Sequence, residues 1–232
     1  ACTPSYALAL ASALTEARIH PQELFLRSGF FGAEPWSESL RGQLEEKLHV
    51  TALDNYGLTE VVGPGVSFEC EARAGLHVNE DHFIVEAIDP KTMAPVARGT
   101  EGELVFTTIT KEGFPLVRYR PGDLGVLDDA PCSCGRTSIR MSRIRGRIDD
   151  MIIMGAVKVF PSQVEEVVAG EQGLTPHYEI VVDREDGVDT LEVRVEISES
   201  MPELDEMKSL EQVKARVARR LDTVLGVKAR VT

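Results

Sequence analysis

Four side chains in this sequence have the types and spacing to hold a metal. Cys132-Ser133-Cys134 offers two thiols flanking one residue, and Cys70 and His77 add a thiol and an imidazole seven positions apart. Thiolate and imidazole are zinc's usual ligands, and a Cys-x-Cys pair with a Cys-x6-His arm can supply four of them. Pro131 and Gly135 suit a tight knuckle around the pair. The alternative is free thiols in a reduced protein, since Cys-x-Cys is too cramped for an easy disulfide between its own members. His20, His49, His82 and His177 have no partner in sequence and read as ordinary surface or half-buried histidines.

Three strings could do other chemistry. They are Tyr56-Gly57-Leu58-Thr59-Glu60, Tyr119-Arg120-Pro121-Gly122-Asp123-Leu124, and Gly146-Arg147-Ile148-Asp149-Asp150 running on to Gly155. Singly, each has a plain reading: a turn after a strand, a strand ending in a Pro-Gly turn, a linker between domains. Arg140 to Arg147 packs four arginines into eight residues. Such a run is usually a solvated face; in an acidic chain it can also meet a phosphate.

The elements that must position these groups are read from periodicity. Residues 5–19 suit a helix, and Leu24 to Phe31 reads as a buried strand. After the break at Gly32 to Trp36, a helix starts near Ser37 with Leu40, Leu44 and Leu48 on one face. A short strand at 50–54 leads to Tyr56. Strands are expected at 83–88, 102–109 and 116–127, with turns at Asp89-Pro90, Glu112-Gly113 and Pro121-Gly122. Beyond Gly146 the pattern is β-α-β-β-α-β. Met151 to Met154 is a strand, Val157 to Phe160 alternates, and Pro161 opens a helix to about Ala169. Residues 178–183 and 190–197 form a hairpin turned at Glu185-Asp186-Gly187. A helix over 203–225 presents Leu210, Val213, Val217, Leu221 and Val224, Gly226 caps it, and Val227 to Val231, with Lys228, begins a last strand. The boundary falls near 146–150, giving regions 1–146 and 147–232.

Composition narrows the function. The 232 residues are 43% hydrophobic, enough for packed cores, and carry a formal net charge of −13. So acidic a chain repels nucleic-acid phosphates and anionic lipid at long range. No apolar run is long enough for a membrane-spanning helix. Four cysteines make no disulfide framework, and a reduced cytoplasmic setting is the default. The opening from Ala1 to Ala11 reads as the interior of a longer chain. A homodimer stays open.

The three strings in this order resemble the adenylate-forming superfamily of acyl-CoA synthetases, luciferase and peptide-synthetase adenylation domains. Gly32-Ala33-Glu34-Pro35-Trp36, Tyr56 through Gly65 and Val159-Phe160-Pro161-Ser162-Gln163-Val164-Glu165 look like its phenylacetate–CoA ligase branch. The resemblance covers nearly the whole chain. It implies a mixed α/β and α+β fold: the C-terminal part of the large domain, with helices and a β-rich subdomain, then a small α+β lid. It also implies a two-step reaction. An aromatic carboxylic acid attacks ATP to give an acyl-adenylate and pyrophosphate, and coenzyme A then displaces AMP.

By the same resemblance, Gly32, Ala33, Glu34 and Pro35 with Asp54, Asn55 and Tyr56 line the adenine slot. Thr59 bonds phosphate and Glu60 holds Mg2+, a cation that prefers oxygen ligands. Asp123 takes the ribose hydroxyls, and Arg147 touches ribose or phosphate. Asp149 is the hinge and Gly155 faces the pantetheine tunnel, though Met154, Ala156 and Lys158 depart from the commoner Arg, Val and Asn. Gly57 and Val61 to Val66 form one wall of the acyl pocket, near which Cys2 is a buried thiol. Branch members with a Cys/His site point to a structural zinc on Cys70, His77, Cys132 and Cys134. The superfamily's Gly- and Ser/Thr-rich phosphate loop and its far C-terminal lysine do not occur in the sequence, so the chain is expected to be an incomplete, inactive piece. Transfer to a non-CoA acceptor, or a noncatalytic nucleotide-binding module, are the alternatives.

Overall fold

The computed structural model describes residues 1–154, 157–171, 173–185, 188–198 and 206–232. The chain divides into two compact units, Ala1–Pro35 with Arg41–Asp149, and Trp36–Leu40 with Asp150–Thr232.

The first unit begins with α1 (Pro4–Glu16), whose N-cap Thr3 accepts the Tyr6 N–H at 3.2 Å. A 3-10 turn at Pro21–Leu24 follows, then β1 (Ser28–Phe31), α2 (Glu38–Leu48, in this unit from Arg41 onward), β2 (Thr51–Leu58), β3 (Gly63–Glu69) and β4 (Leu76–Val78). β5 (Phe83–Ile88), β6 (Glu101–Thr108), β7 (Asp123–Asp128), β8 (Arg140–Met141) and β9 (Gly146–Arg147) complete it. They form a sheet in the order β1-β2-β3-β4-β8-β7-β6-β5, with β9 also on β7. Only β1 and β2 pair parallel; the other ladders of this sheet are antiparallel. Val61, Val66, Leu76, Phe106, Leu127 and Met141 fill its core.

Several sequence expectations change here. The strand expected from Leu24 is confined to Ser28–Phe31, because Leu24 to Leu26 turn outward and Phe25 is 89% exposed in a left-handed conformation. The strand expected over 116–127 is regular only from Asp123; before it, Tyr119 makes a single bridge to Phe106. β2 runs on through Tyr56 and Gly57, past the expected end at 54. Val61 and Val66 are fully buried in the core, so they cannot line an acyl pocket; Val62 faces outward. The arginine run is solvated only in part, with Arg145 67% and Arg147 42% exposed. Arg140 is buried on Asp128, Arg143 pairs with Asp54, Arg145 with Glu101 and Arg147 with Asp149.

The second unit holds β10 (Ile152–Met154), β11 (Val157–Val159), α3 (Pro161–Ala169), β12 (Leu174–Glu185), β13 (Val188–Ile197), α4 (Glu206–Leu225) and β14 (Ala229–Val231). β10 and β11 are an antiparallel pair; β12-β13-β14 is a sheet, antiparallel then parallel. Pro161 at the first turn and Val164, Val167 and Val168 inward explain α3, since proline fixes φ where no intrahelical bond is lost. On α4 the buried stripe is Val213, Val217, Leu221 and Leu225; Val224, expected on it, is 41% exposed. Gly226 takes φ +69° after the helix. Lys228 precedes β14 and is not part of it. Gly155, Ala156, the turn residues 186–187 and the first residues of the expected helix, 203–205, lie outside the described residues. No described helix is long and apolar enough to cross a membrane.

Candidate functional site: a tyrosine–carboxylate cleft and a Cys/His cluster

β2 delivers Asp54, Asn55, Tyr56 and Gly57 beside β3, and β7 delivers Asp123. The Tyr56 hydroxyl donates to Asp123 Oδ2 at 2.5 Å, the length of a charge-assisted bond. The Tyr56 ring stacks on Phe106, with centroids 5.5 Å apart and planes 25° apart. One of its faces is therefore already covered by protein. Asp123 is 4% exposed and stands opposite Arg147 in the β7–β9 ladder. Burial, then the Asp123 carboxylate, pushes the Tyr56 hydroxyl pKa above the usual range, while the Arg147 charge opposes the rise.

Glu60 joins this group through Tyr119. Thr59 and Glu60 lie exposed in the turn after β2. Burial and then the nearby Glu60 carboxylate raise the pKa of the Tyr119 hydroxyl, with Asp123 and Arg147 also within electrostatic reach. Lys111 Nζ donates to the Glu60 carbonyl oxygen at 2.7 Å. The structure thus brings Tyr56, Glu60, Asp123 and Arg147 into one neighbourhood. Sequence reasoning missed Tyr119 and Lys111. Tyr119 sat in a string already singled out for Asp123; nothing in the sequence marked Lys111.

The residues expected around adenine are mixed in their engagements. Asn55 is 8% exposed, and its Oδ1 is a buried acceptor with no protein partner among the described residues. Gly32 follows β1 so closely against β2 that a Cβ there would lie 2.0 Å from the Asn55 carbonyl oxygen. Its lack of a side chain serves strand packing, not only a ligand. Gly57 is equally constrained, 1.8 Å from the Gly63 carbonyl oxygen. Ala33 holds a left-handed φ of 69°, and Pro35 is exposed. Glu34 accepts the Ser5 N–H at 2.6 Å and its hydroxyl at 3.0 Å, so it anchors the start of α1.

Asp149 is exposed and gripped by the fork of Arg147, Nε to Oδ1 at 2.9 Å and Nη2 to Oδ2 at 2.8 Å. That pair holds the Asp149 carboxyl below its ordinary value. A cavity of about 390 Å3 is lined by Glu103, Arg120, Pro121, Gly122, Ile148 and Asp149. Asn55, Tyr56, Glu60 and Asp123 do not line it, so it is not the expected nucleotide slot.

Cys70, His77, Cys132 and Cys134 come together where β3 and β4 meet the loop before β8. Their ligand atoms all lie within 4.8 Å of one another. Cys70 Sγ is 3.8 Å from Cys132 Sγ, and Cys134 Sγ is 3.4 Å from His77 Nε2. Four ligands at about 2.3 Å from a tetrahedral zinc stand about 3.8 Å apart, so the spacing suits that ion. Ser138 Oγ lies 3.2 Å from His77 Nδ1, which leaves Nε2 to face the cysteines. The backbone N–H of Arg136 is the largest cause bringing the Cys134 thiol down to about 6, whereas burial raises that of Cys70. The fourth cysteine, Cys2, is only half-buried; its main chain bridges Phe31.

Known proteins are similar to this chain in sequence and fold. A profile described as the AMP-binding enzyme C-terminal domain matches residues 156–232. The phenylacetate–coenzyme A ligase of Thermus thermophilus is 45% identical across all of this chain and 55% of its own length. That of Escherichia coli is 44% identical across 97% of this chain and 51% of its own. Among solved structures, 2-hydroxyisobutyryl-CoA ligase in the postadenylation state with an acyl-AMP superposes with a TM-score of 0.88 at 30% identity, over 99% of this chain and 49% of that one. The chain thus spans about half the length of the curated relatives it matches. Its sequence from end to end, and its fold, place it in the adenylate-forming ligase superfamily, on the phenylacetate–coenzyme A ligase branch.

Proposed function

We propose that the protein carrying this chain is an AMP-forming aryl- or arylacetate–coenzyme A ligase, of which the chain supplies the nucleotide-facing part of the large domain and a lid. The observation that carries the reading is the Tyr56–Asp123 bond across β2 and β7, with Arg147 opposite Asp123 in the β7–β9 ladder. Asn55 Oδ1, buried without a protein partner, fits the 6-amino group of adenine. An orphaned buried acceptor costs about 1–3 kcal/mol, which a bound base recovers. Asp123, held by the Tyr56 hydroxyl on Oδ2, is the carboxylate proposed to meet the ribose hydroxyls. Arg147 faces phosphate or ribose, and Thr59 a phosphate oxygen.

Glu60 suits Mg2+ as an exposed carboxylate beside the phosphates, and the ion would offset charge that develops there. Cys70, His77, Cys132 and Cys134 suit a structural zinc, whose four protein ligands leave no open position for reaction. It would pin the loop after β3 to the loop before β8. Asp149 is the proposed pivot of the lid, and Gly155 a wall of the passage for coenzyme A. A reducing, cytoplasmic setting, which keeps thiols available to a metal, goes with this reading.

The test is a panel of carboxylic acids on the full-length protein, reading AMP release with and without coenzyme A. AMP release dependent on an arylacetate and accelerated by coenzyme A is expected. Release that ignores coenzyme A but responds to an amine would reassign the acceptor, and no acid-dependent release would defeat the ligase reading.

A further inference from the structure

Next to the proposed base slot lies a buried ion pair that the ligase chemistry does not use. Arg41 on α2 and Glu69 at the end of β3 have side chains 3% and 4% exposed. They meet as a fork, Nη1 to Oε2 at 2.8 Å and Nη2 to Oε1 at 3.1 Å. Burying two charges costs several kcal/mol per ion before their attraction is counted, and apolar replacements of such pairs are often no less stable. Stability is therefore a weak reason for the pair to exist.

What it grips supplies a better one. Arg41 Nη1 also donates to the Ala52 carbonyl oxygen. Glu69 Oε2 also accepts the Asp54 N–H at 2.9 Å. The pair therefore holds β2 at both residues that flank Leu53. The β2–β3 ladder begins only at Asn55 opposite Phe68, so the Glu69 side chain takes the place of a strand partner at Asp54. Asp54 passes the constraint on: its Oδ1 accepts the Asn55 N–H at 2.8 Å, and its Oδ2 pairs with Arg143 Nε at 2.8 Å. The end of this chain of contacts is Asn55, whose Oδ1 is the buried, unpartnered acceptor.

We infer that Arg41 and Glu69 are positioning residues, fixing β2 so that Asn55 Oδ1 is presented as an immobile acceptor that selects a 6-amino purine nucleotide over a 6-oxo one. This rests on the reading of Asn55 as part of the adenine slot. A fixed acceptor attracts the adenine amino group and repels a carbonyl at the same place. A loosened strand lets the amide turn and present its NH2, and the discrimination falls.

The experiment measures kcat/KM of the full-length protein for ATP and ITP, with KM for the acid alongside. The double variant Arg41→Met with Glu69→Leu keeps an apolar filling and avoids a lone buried charge. Its ATP-to-ITP preference is expected to fall about tenfold while KM for the acid barely moves, and the melting temperature falls because the Ala52 carbonyl oxygen and the Asp54 N–H lose their partners. Asn55→Ala is expected to lower the preference as much, and the triple variant no further. If Asn55→Ala abolishes the preference and the double variant keeps it, the positioning role is overturned and the adenine slot stands. If Asn55→Ala keeps it, the slot reading fails and this inference with it. Should the double variant not fold, Glu69→Gln, which preserves the packing, must still lower the preference several-fold, and an unchanged ratio overturns the inference.

Discussion

The Tyr56 hydroxyl reaches Asp123 Oδ2 at 2.5 Å from 67 positions away in the sequence. The bond joins β2 to β7 and turns two ordinary-looking turn motifs into one feature. The carboxylate is 4% exposed and is held on one oxygen by a hydroxyl donor.

Asp123→Ala in the full-length protein is therefore expected to weaken ATP binding by about 1.5–3 kcal/mol, the worth of a hydrogen bond to a charged group. Tyr56→Phe, which frees the carboxylate without removing it, is expected to cost less. Titration calorimetry with a nonhydrolysable ATP analogue reads both. Unchanged affinity in Asp123→Ala would remove the carboxylate from the nucleotide site.

How much of this could be read in the sequence depended on side-chain pattern. The α3 helix was legible because Pro161 and the spacing of Val164, Val167 and Val168 agree on one element. Strands β8 and β9 were not: each is two residues long, and both lie in the arginine run, where no alternation between apolar and polar marks a strand. Leu24 to Leu26 misled for the opposite reason, being apolar yet turned outward. Around the cleft, the proximity of Tyr56 and Asp123 was expected from the family resemblance that the strings carry together. Tyr119, Lys111 and the Arg41–Glu69 pair act across strand pairings that local spacing does not encode. The Cys/His proximity was foreshadowed by ligand types, whereas the placing of Ser138 behind His77 depends on a loop whose course has no sequence signal.

Alkaline pH is expected to expose the Tyr56 bond. Its folded-state pKa lies far above the ordinary value of 10.0. A group raised in the folded state contributes its full stabilisation below the unfolded pKa and loses it as pH climbs above that value, because the unfolded chain then releases a proton that the folded one keeps. Stability to urea should thus decline above pH 10, and Tyr56→Phe should make that decline shallower. Absorbance at the tyrosinate band should show Tyr56 ionising only with unfolding. Ionisation in the native state near pH 10 would contradict a buried hydroxyl bound to a carboxylate.

The Cys/His cluster is expected to carry about one zinc per chain in protein purified without chelator, as its four-ligand set implies. Cys70→Ser or His77→Ala should lower the metal content and the melting temperature together, since metal binding and folding are coupled. Cys70 directly follows Glu69, which holds β2 at Asp54, so stripping the metal should raise KM for ATP more than KM for the acid. Elemental analysis that finds no metal in such preparations would reduce the cluster to free thiols.

Asp149 tests the proposed pivot. Its side chain is 61% exposed, and its partner Arg147 is near enough in sequence for the pair to hold one local backbone course. Proline at this position fixes φ and restricts Ile148 as well. If the lid must swing between two half-reactions, Asp149→Pro in the full-length protein should leave acyl-adenylate formation within a few-fold of normal while slowing thioester formation more than about tenfold, as expected when a hinge can no longer absorb a backbone change. Asp149→Ala, which only releases the fork of Arg147, should leave both steps close to normal. Single-turnover measurements of pyrophosphate and thioester separate the steps. Equal slowing of both by proline would point to a local disturbance of Arg147 beside Asp123, and a normal thioester rate would place the pivot elsewhere in the chain.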